Sequence, residues 1–322
     1  MTGEYAVRGM PALLEISPTH LNRMLATTGL WLDVGAATIR VHGNSSSLGA
    51  QLQTVYGSFP AIDHATWADL HVRIQESRGA RRWLKPQALF YCDGVQAFDP
   101  FPAASPLPLF EWGCNWLIGR RLNDRLLLHA GAVERDGLAL VLPAMPGSGK
   151  STLTAALSQR AWRLLSDEFG AYDPGIGMFQ AVLKPIALKN QSIAVIRHFA
   201  PGAVIGPEFP NTRKGTVAHL APNSDAVMRR HEFARPGAIV LPRWEAGAAT
   251  RLEPLPQSAV FPALAFNAFN YSLLGADGFR SVVRLVRQCL SWRLVYGDLE
   301  DALLALESIW PQVIQHRVAS AQ

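Results

Sequence analysis

The chain has 322 residues, of which 49% are apolar and 17% are charged, and its formal net charge is +5 at pH 7. This composition is typical of a packed globular chain of about two domains, and it excludes a disordered, collagen-like or coiled-coil protein. No apolar run approaches the roughly 18 residues of a membrane helix, and the arginines form no long basic runs. Neither a membrane nor a nucleic acid is therefore predicted as a partner.

Residues 1–105 predict a small N-terminal α+β domain, whose role the sequence leaves open. The predicted elements are strands at 36–41, 70–74 and 88–92 and a short helix carrying Leu48, Leu52 and Tyr56. Four prolines between 99 and 110 predict a linker. The second domain, 106–322, should begin with a helix that carries Trp112, Trp116 and Leu117 and should end with helices at 279–296 and 299–317.

The cellular compartment is predicted from the N-terminus and the cysteines. Glu4 and Arg8 stand where a secretory signal would have a continuous apolar core. The three cysteines are odd in number and far apart, which favours reduced thiols over a disulfide framework or a zinc site. A cytoplasmic protein is expected, with its oligomeric state left open and a homo-oligomer included.

An Asp-Gly pair at 136–137 stands between two apolar runs within 126–142, which is a strong signal for a hairpin with a two-residue loop. Such a loop sets Ala130 opposite Pro143. His129 then falls beside the segment that follows the second strand. A histidine in an apolar strand is ordinarily a buried core residue, and this position makes a functional role an equal alternative.

The second strand leads into AMPGSGKST at 144–152, which fits the Walker A pattern G-x-x-x-x-G-K-[ST] except that Ala144 replaces the first glycine. In such a P-loop, backbone N–H groups surround phosphate oxygens, Lys150 reaches the β- and γ-phosphates, and Ser151 offers its hydroxyl to Mg²⁺. The predicted nucleotide-binding residues are Pro146, Gly147, Ser148, Gly149, Lys150, Ser151 and Thr152.

After the helix that follows the loop, a short strand at 162–165 is predicted to end at Asp167 and Glu168. An acidic residue at this point of a nucleotide-binding fold holds Mg²⁺ or its water. Ser151, Asp167 and Glu168 are therefore the predicted metal ligands. A solvated pair of carboxylates is the alternative.

Lysine occurs at only five positions, and four of them fall between 150 and 214. A compact ammonium group suits phosphate binding. Lys184, Lys189 and Lys214 are therefore further candidates for the phosphates or the acceptor, with Arg213 ranked after them. The apolar segment that contains Asn267 and Asn270 is left open between a binding role and a buried hydrogen-bond network.

These motifs together resemble the HPr kinase/phosphorylase family, and the whole chain is most similar to the HPr-kinase-related proteins of bacteria. The segments that carry the resemblance are His129-Ala130, PGSGKST at 146–152, EWGCNW at 111–116, LLSDEFG at 164–170, KPIALKN at 184–190, TRKGTVAHL at 212–220 and NAFNYSLLG at 267–275. The resemblance implies an α/β fold with the P-loop kinase domain shared with phosphoenolpyruvate carboxykinase, a curved mixed sheet around the loop. It also implies ATP and Mg²⁺ as cofactors.

Carried over by position, the resemblance makes Asp167 the base that takes the proton of the attacking hydroxyl. Glu168 stands where the family has a second aspartate near Mg²⁺, and His129 stands beside the catalytic acid. Together with Lys150, Asp167 and His129 are the predicted catalytic residues. The downstream arginine- and glycine-containing signature of true HPr kinases is not apparent, so only the kinase half-reaction is carried over.

The predicted activity is an ATP-dependent kinase that transfers the γ-phosphoryl group to a hydroxyl, in first place a serine of a protein or peptide. Two alternatives stay open: a small-molecule hydroxyl kinase, and a catalytically inactive module that grips a partner peptide when ATP is bound. The sequence has neither an Asn-Lys-x-Asp motif after the loop nor a Ser-Gly-Gly signature, which disfavours a regulatory GTPase and an ABC-type ATPase.

Overall fold

The computed structural model describes residues 10–45, 47–65, 67–77 and 84–319. Glu4 and Arg8, cited above against a signal peptide, lie outside these described residues. The described chain is an α/β protein in which helices accompany three sheets, two of them mixed, and the predicted α/β class is confirmed. Within the described ranges, no helix is both long and apolar enough to cross a membrane.

The N-terminal part contains the first sheet. Its elements are a 3-10 turn (Leu13–Glu15), helices α1 (Pro18–Ala26) and α2 (Leu48–Val55), and strands β1 (Leu30–Asp33), β2 (Thr38–Gly43), β3 (Leu70–Glu76), β4 (Gln87–Cys92), β5 (Val95–Gln96) and β6 (Phe101–Pro102). The strand order is β1-β2-β3-β4-β5, with β6 also on β4, and only β2 and β3 run parallel. The predicted strands and short helix are confirmed, with the first strand beginning two residues later than predicted.

The proline-rich segment 99–110 does not form a free linker. Its Phe101–Pro102 pairs with β4, and helix α3 (Pro106–Arg121) begins on a proline three residues after Ala103. Proline suits the first helical turn because the N–H groups there have no intrahelical partner. In this helix Leu117 is buried, whereas Trp112 and Trp116 are 36% and 37% exposed.

The regions before and after residue 105 are in direct contact. The Leu183 N–H donates to the Val34 carbonyl over 2.8 Å, and the Tyr56 hydroxyl donates to Glu111 Oε1 over 2.6 Å. One cluster of buried apolar side chains includes residues from both regions. The N-terminal sheet therefore supports the larger part of the chain through shared core packing.

The larger part contains the remaining two sheets. Its strands are β7 (Leu126–Arg135), β8 (Leu138–Pro143), β9 (Arg163–Ser166), β10 (Phe169–Asp173), β11 (Met178–Gln180), β12 (Ile186–Lys189), β13 (Phe209–Thr212), β14 (Gly215–Leu220), β15 (Arg235–Trp244), β16 (Arg251–Pro254) and β17 (Leu290–Tyr296). The eight-stranded sheet has the order β11-β10-β7-β8-β15-β17-β16, with β9 also on β7, and the three-stranded sheet has the order β12-β14-β13. In the large sheet, β8, β15 and β17 run parallel.

The hairpin predicted from the Asp-Gly pair is confirmed in its register. Asp136 and Gly137 both adopt positive φ, +55° and +75°. These angles fit a tight turn whose twist matches that of the flanking strands. As predicted, β7 and β8 are antiparallel and Ala130 stands opposite Pro143.

The helices of the larger part are α4 (Lys150–Ser158), α5 (Gln191–Phe199), α6 (Ser224–Met228), α7 (Gln257–Phe266), α8 (Tyr271–Leu274), α9 (Ala276–Gln288) and α10 (Leu299–Ala319). The helix predicted at 279–296 is wrong in its second half, because residues 290–296 form β17. Trp292, Leu294 and Tyr296 are buried in alternation with more exposed residues, and this period of two suits a strand that pairs with β15.

The burial of His219 on β14 predicts that the fold loses stability in acid. Its side chain is buried, and burial lowers the pKa of the imidazole to about 4 from an ordinary value of 6.5. Between these values the unfolded chain binds a proton that the folded chain does not, so the free energy of unfolding should fall as the pH falls from 6.5 to 4. The expected loss from this residue is about 3 kcal/mol.

Urea denaturation of the wild type and of His219→Gln at pH 7, 5.5 and 4.5 measures this contribution. The variant should lose less stability than the wild type on acidification. His64→Gln is the control, because the His64 side chain is 83% exposed. Equal acid sensitivity of the wild type and His219→Gln would show that His219 is not the residue responsible.

Candidate functional site

The loop at 144–149 connects β8 to helix α4 and has the backbone of an anion cradle. Gly147 and Gly149 adopt φ of +88° and +84°, which residues with a Cβ rarely tolerate. A Cβ on Gly149 would also lie 2.4 Å from the Tyr296 hydroxyl oxygen and 2.8 Å from Trp244 Cβ. Only glycine fits here, and α4 starts directly after it, with its free N–H groups at the loop.

Two neighbouring strands hold the loop in place. The backbone N–H of Trp244, the last residue of β15, donates to the Ser148 carbonyl over 2.9 Å. The hydroxyl of Tyr296, the last residue of β17, donates to the Gly149 carbonyl over 3.1 Å. Both strands run parallel to β8, so three carboxyl ends meet at the loop, which is where ligands bind in open α/β sheets.

Lys150 connects the loop to the predicted acids. Its side chain is buried, and its Nζ donates to the backbone carbonyl of Asp167 over 2.8 Å. Helix α4 packs closely against β7 because Gly131 on that strand has no side chain. A Cβ added to Gly131 would lie 2.1 Å from Thr154 Oγ1 on the helix. The two sequence motifs, separated by one helix and one strand, are therefore in contact.

Asp167 and Glu168 lie at an interruption in the strand pairing. β9 and β10 both run antiparallel to β7, with Ser166 opposite Ala132 and Phe169 opposite His129. The two acids occupy the gap between these pairs. A break of this kind redirects side chains out of the sheet and is common beside active sites.

The two carboxylates have opposite pKa shifts. Burial raises the pKa of Asp167 above its ordinary value, against the opposing effects of Lys150 and a hydrogen bond with Ser151. Burial alone would raise the pKa of Glu168 as well, but the positive charges around it, Lys150 first, hold that pKa below its ordinary value. Glu168 is therefore the more firmly ionised of the pair.

His129 lies beside Glu168. The distance from His129 Nε2 to Glu168 Oε1 is 3.5 Å, and the ring packs at 5.3 Å between centroids against Phe269. Burial, and then the charge of Lys150, lower the pKa of His129, while the charge of Glu168 opposes this shift. The shift favours the neutral ring, which can accept or donate a hydrogen bond beside Glu168.

Lys189 and Lys214 belong to the same electrostatic cluster. Both lower the pKa of Glu168 through their positive charges, and Lys189 also lowers that of Asp167. Partial burial, together with the charge of Lys189, lowers the pKa of Lys214. The structure thus brings two of the three predicted additional lysines to the carboxylates.

The third predicted lysine, Lys184, is engaged elsewhere. Its Nζ lies 2.9 Å from Glu111 Oε2 and 2.5 Å from Asn115 Oδ1, and its side chain is 7% exposed. Glu111 neutralises this ammonium, so Lys184 is not a free cation for phosphate. It lines, with Glu111, Asn115 and both acids, a cavity of about 30 Å³ behind the site, which has room for one water molecule.

Arg213 and Asn270, whose roles the sequence left undecided, have partners in the structure. Arg213 Nη2 lies 3.8 Å from Asp99 Oδ2, and both side chains are largely exposed. Asn270 is buried, accepts a hydrogen bond from the Leu127 N–H over 3.0 Å and donates to the Arg125 carbonyl over 2.7 Å. Of the two roles left open for Asn270, the structure shows the buried hydrogen-bond network.

The residues that the sequence placed around Mg²⁺ fit that ion in part. Asp167 Oδ1 is buried and has no hydrogen-bond partner among the described residues, and Ser151 is a hydrogen-bond neighbour of this side chain. The described residues contain no group of three or more His, Cys, Asp or Glu able to enclose a metal. Mg²⁺ does not need such a cage, because it is usually bound by one or two carboxylates and phosphate oxygens.

Three residues at the site are absent from the sequence predictions: Trp244, Tyr296 and Phe269. Trp244 and Tyr296 end strands that the sequence reasoning did not assign, and Phe269 reaches His129 through backbone pairing of 267–269 with β7. Correct prediction of β15 and β17 would have placed Trp244 and Tyr296 beside the loop. Phe269 lies within the segment 267–275 that carries part of the resemblance, but no pattern singled out its side chain, since the chain around it is irregular.

Comparisons with known proteins do not assign the chain. Neither a scan against protein-family models nor a search of curated proteins found a match. The resemblance to the HPr kinase/phosphorylase family accordingly rests on the quoted motifs. A proposal for the function rests on those motifs together with the geometry of the loop and the acids.

Proposed function

We propose that the protein is an ATP-dependent kinase that transfers the γ-phosphoryl group to a hydroxyl, with a serine of a protein or peptide as the acceptor. The observation that carries this proposal is the 2.8 Å contact between Lys150 Nζ and the Asp167 carbonyl. A triphosphate held by the loop has its terminal group within reach of Lys150, and Asp167 is then the adjacent carboxylate. Phosphoryl transfer requires mainly such positioning and positive charge.

The opposite pKa shifts support different roles for the two acids. A general base works best with a pKa raised toward the working pH, and burial raises the pKa of Asp167. Glu168 stays ionised beside Lys150, Lys189 and Lys214, which suits an acid that helps to hold a cation. Asp167 therefore takes the proton of the acceptor hydroxyl as its oxygen bonds to the γ-phosphorus and the bond to the β–γ bridging oxygen breaks.

Ser151 and Glu168, with Asp167, would hold Mg²⁺. When bound, this ion neutralises charge on the β- and γ-phosphates. Lys189 and Lys214 add positive charge that acts on Glu168. Together with Lys150 they supply the charge that the transferred group requires.

Exposed apolar side chains near His129 support a protein or peptide acceptor. Phe269 packs against His129 and is 49% exposed, while Phe266 and Leu273 in the same short segment are 84% and 70% exposed. Groups of exposed apolar side chains at a functional site are typical of surfaces that contact other proteins. The resemblance to the HPr kinase/phosphorylase family, whose kinases phosphorylate a protein, supports the same acceptor class.

The test is a phosphotransfer assay with γ-labelled ATP and Mg²⁺ against serine-containing peptide libraries, the proteins encoded beside its gene and a panel of small hydroxyl compounds. Mass spectrometry then locates the phosphate. We expect label on a serine of a peptide or protein. Label confined to a small compound would favour the small-molecule kinase, and bound ATP without any labelled acceptor would favour the inactive peptide-binding module.

A further inference from the structure

Trp244 has an unusual position beside the loop. It is the last residue of β15, and its backbone N–H donates to the Ser148 carbonyl. A Cβ added to Gly149 would lie only 2.8 Å from the Trp244 Cβ. The side chain is nevertheless 46% exposed. A large aromatic ring is thus fixed at its base to the phosphate-binding loop while much of its surface faces solvent.

A hydrogen bond also fixes the orientation of the Trp244 indole. Its Nε1 donates to the Gly297 carbonyl over 3.3 Å, next to Tyr296, whose hydroxyl holds Gly149. Because its only polar group is bonded within the protein, the exposed part of the ring has no hydrogen bond left to offer. It can interact with a ligand only through its apolar π surface.

Trp244 and the acids lie on opposite sides of the loop. In the sheet, β8 leads into the loop with β7 on one side and β15 on the other. Asp167 and Glu168 interrupt the pairing of β7, whereas Trp244 ends β15. A triphosphate whose terminal phosphate points toward the acids directs its nucleoside away from them, toward the β15 side.

We propose that Trp244 forms the base-binding surface of this site and stacks on the purine of the bound nucleoside triphosphate. This inference rests on the proposed function, because it requires the loop to hold a triphosphate. Base–aromatic stacking of this kind contributes roughly a tenfold gain in affinity or more. The base should therefore add affinity through Trp244 that a ligand consisting only of phosphates cannot gain.

Isothermal titration of the full chain with Mg·ATP and with Mg·tripolyphosphate separates binding of the base from binding of the phosphates. Trp244→Ala should weaken ATP binding about tenfold and leave tripolyphosphate binding unchanged, while Trp244→Phe should keep most of the ATP affinity. Trp67→Ala is the matched control: Trp67 is 70% exposed, donates from Nε1 to Asp69, and lies in the N-terminal part. It should alter neither affinity.

Two results of this titration would overturn the inference. Equal weakening of both ligands in Trp244→Ala would show that the side chain only supports the loop, and unchanged ATP binding would show that it does not contact the base. A wild type that binds neither ligand would instead remove the proposed function itself. Photolabelling of the wild type with 2-azido-ATP tests the contact without a variant, since the label should fall on the peptide containing Trp244, and label elsewhere contradicts it.

Discussion

Asp167→Asn is expected to lower the turnover number by about 10²-fold or more and to leave ATP affinity nearly unchanged. An asparagine side chain has almost the same shape but cannot take the proton of the acceptor hydroxyl. Lys150 bonds to the backbone carbonyl of residue 167 and not to its side chain, so the substitution leaves the loop lysine anchored. The structure therefore predicts that a substitution at this position impairs catalysis but not nucleotide binding.

Single-turnover kinetics with γ-labelled ATP and calorimetry with Mg·ATP measure these two effects. Asp277→Asn is the control, since the Asp277 side chain is 66% exposed on helix α9. Glu168→Gln should instead weaken Mg²⁺ binding and raise the Mg²⁺ concentration needed for half-maximal turnover. Undiminished phosphoryl transfer by Asp167→Asn would remove Asp167 as the base.

The same assignment predicts a direction for the pH dependence. A base must be ionised to act, so the turnover number should fall as the pH falls through the pKa of Asp167. Burial raises that pKa above 3.8, so this loss should occur at a higher pH than for an exposed aspartate. Asp167→Asn should lack this limb, because asparagine does not titrate.

Lys150→Met is expected to weaken Mg·ATP binding by at least about 10²-fold. Methionine preserves the buried apolar part of the side chain but removes the ammonium, and charge-assisted contacts to the β- and γ-phosphates contribute about 1.5–3 kcal/mol each. The substitution also leaves the buried Asp167 carbonyl without its donor. The variant should therefore lose both the charge and the connection between loop and acid.

Lys85→Met is the matched control for this experiment, because Lys85 is an exposed lysine in the N-terminal part of the chain. Thermal denaturation of Lys150→Met should accompany the calorimetry, so that weak binding is measured on folded protein. A folded Lys150→Met with wild-type affinity for Mg·ATP would show that the loop does not hold the triphosphate.

The local elements of the site could be predicted from the sequence alone. The Asp-Gly pair at 136–137 set the register of β7 and β8, because a two-residue turn with positive φ leaves one pairing. The glycines and lysine of the loop and the acids at 167 and 168 follow within about thirty residues. Neighbours this close in the chain are joined by one turn, one helix and one strand, so their arrangement depends on local rules.

The partners of the charged side chains were decided by the tertiary structure. Lys184 was a candidate for contact with the phosphates or the acceptor, but it pairs with Glu111, which lies 73 residues earlier in the chain. Nothing in the local sequence around either residue indicates this contact. A buried ammonium needs a counter-charge, and which carboxylate provides it depends on how helix α3 packs against the segment before β12.

The strands that complete the large sheet were also decided by tertiary structure and not by local sequence. Residues 290–296 follow helix α9 and contain enough apolar residues to suit a helix or a strand, and they become β17 because β15 offers a parallel partner. Trp244 and Tyr296 reach the loop only through that pairing. Local sequence therefore determined the glycine-rich loop, its lysine and the pair of acids. Long-range pairing decided which side chains surround them, because a strand gains its hydrogen bonds only from a neighbouring strand, and β15 and β17 are distant from the loop in the chain.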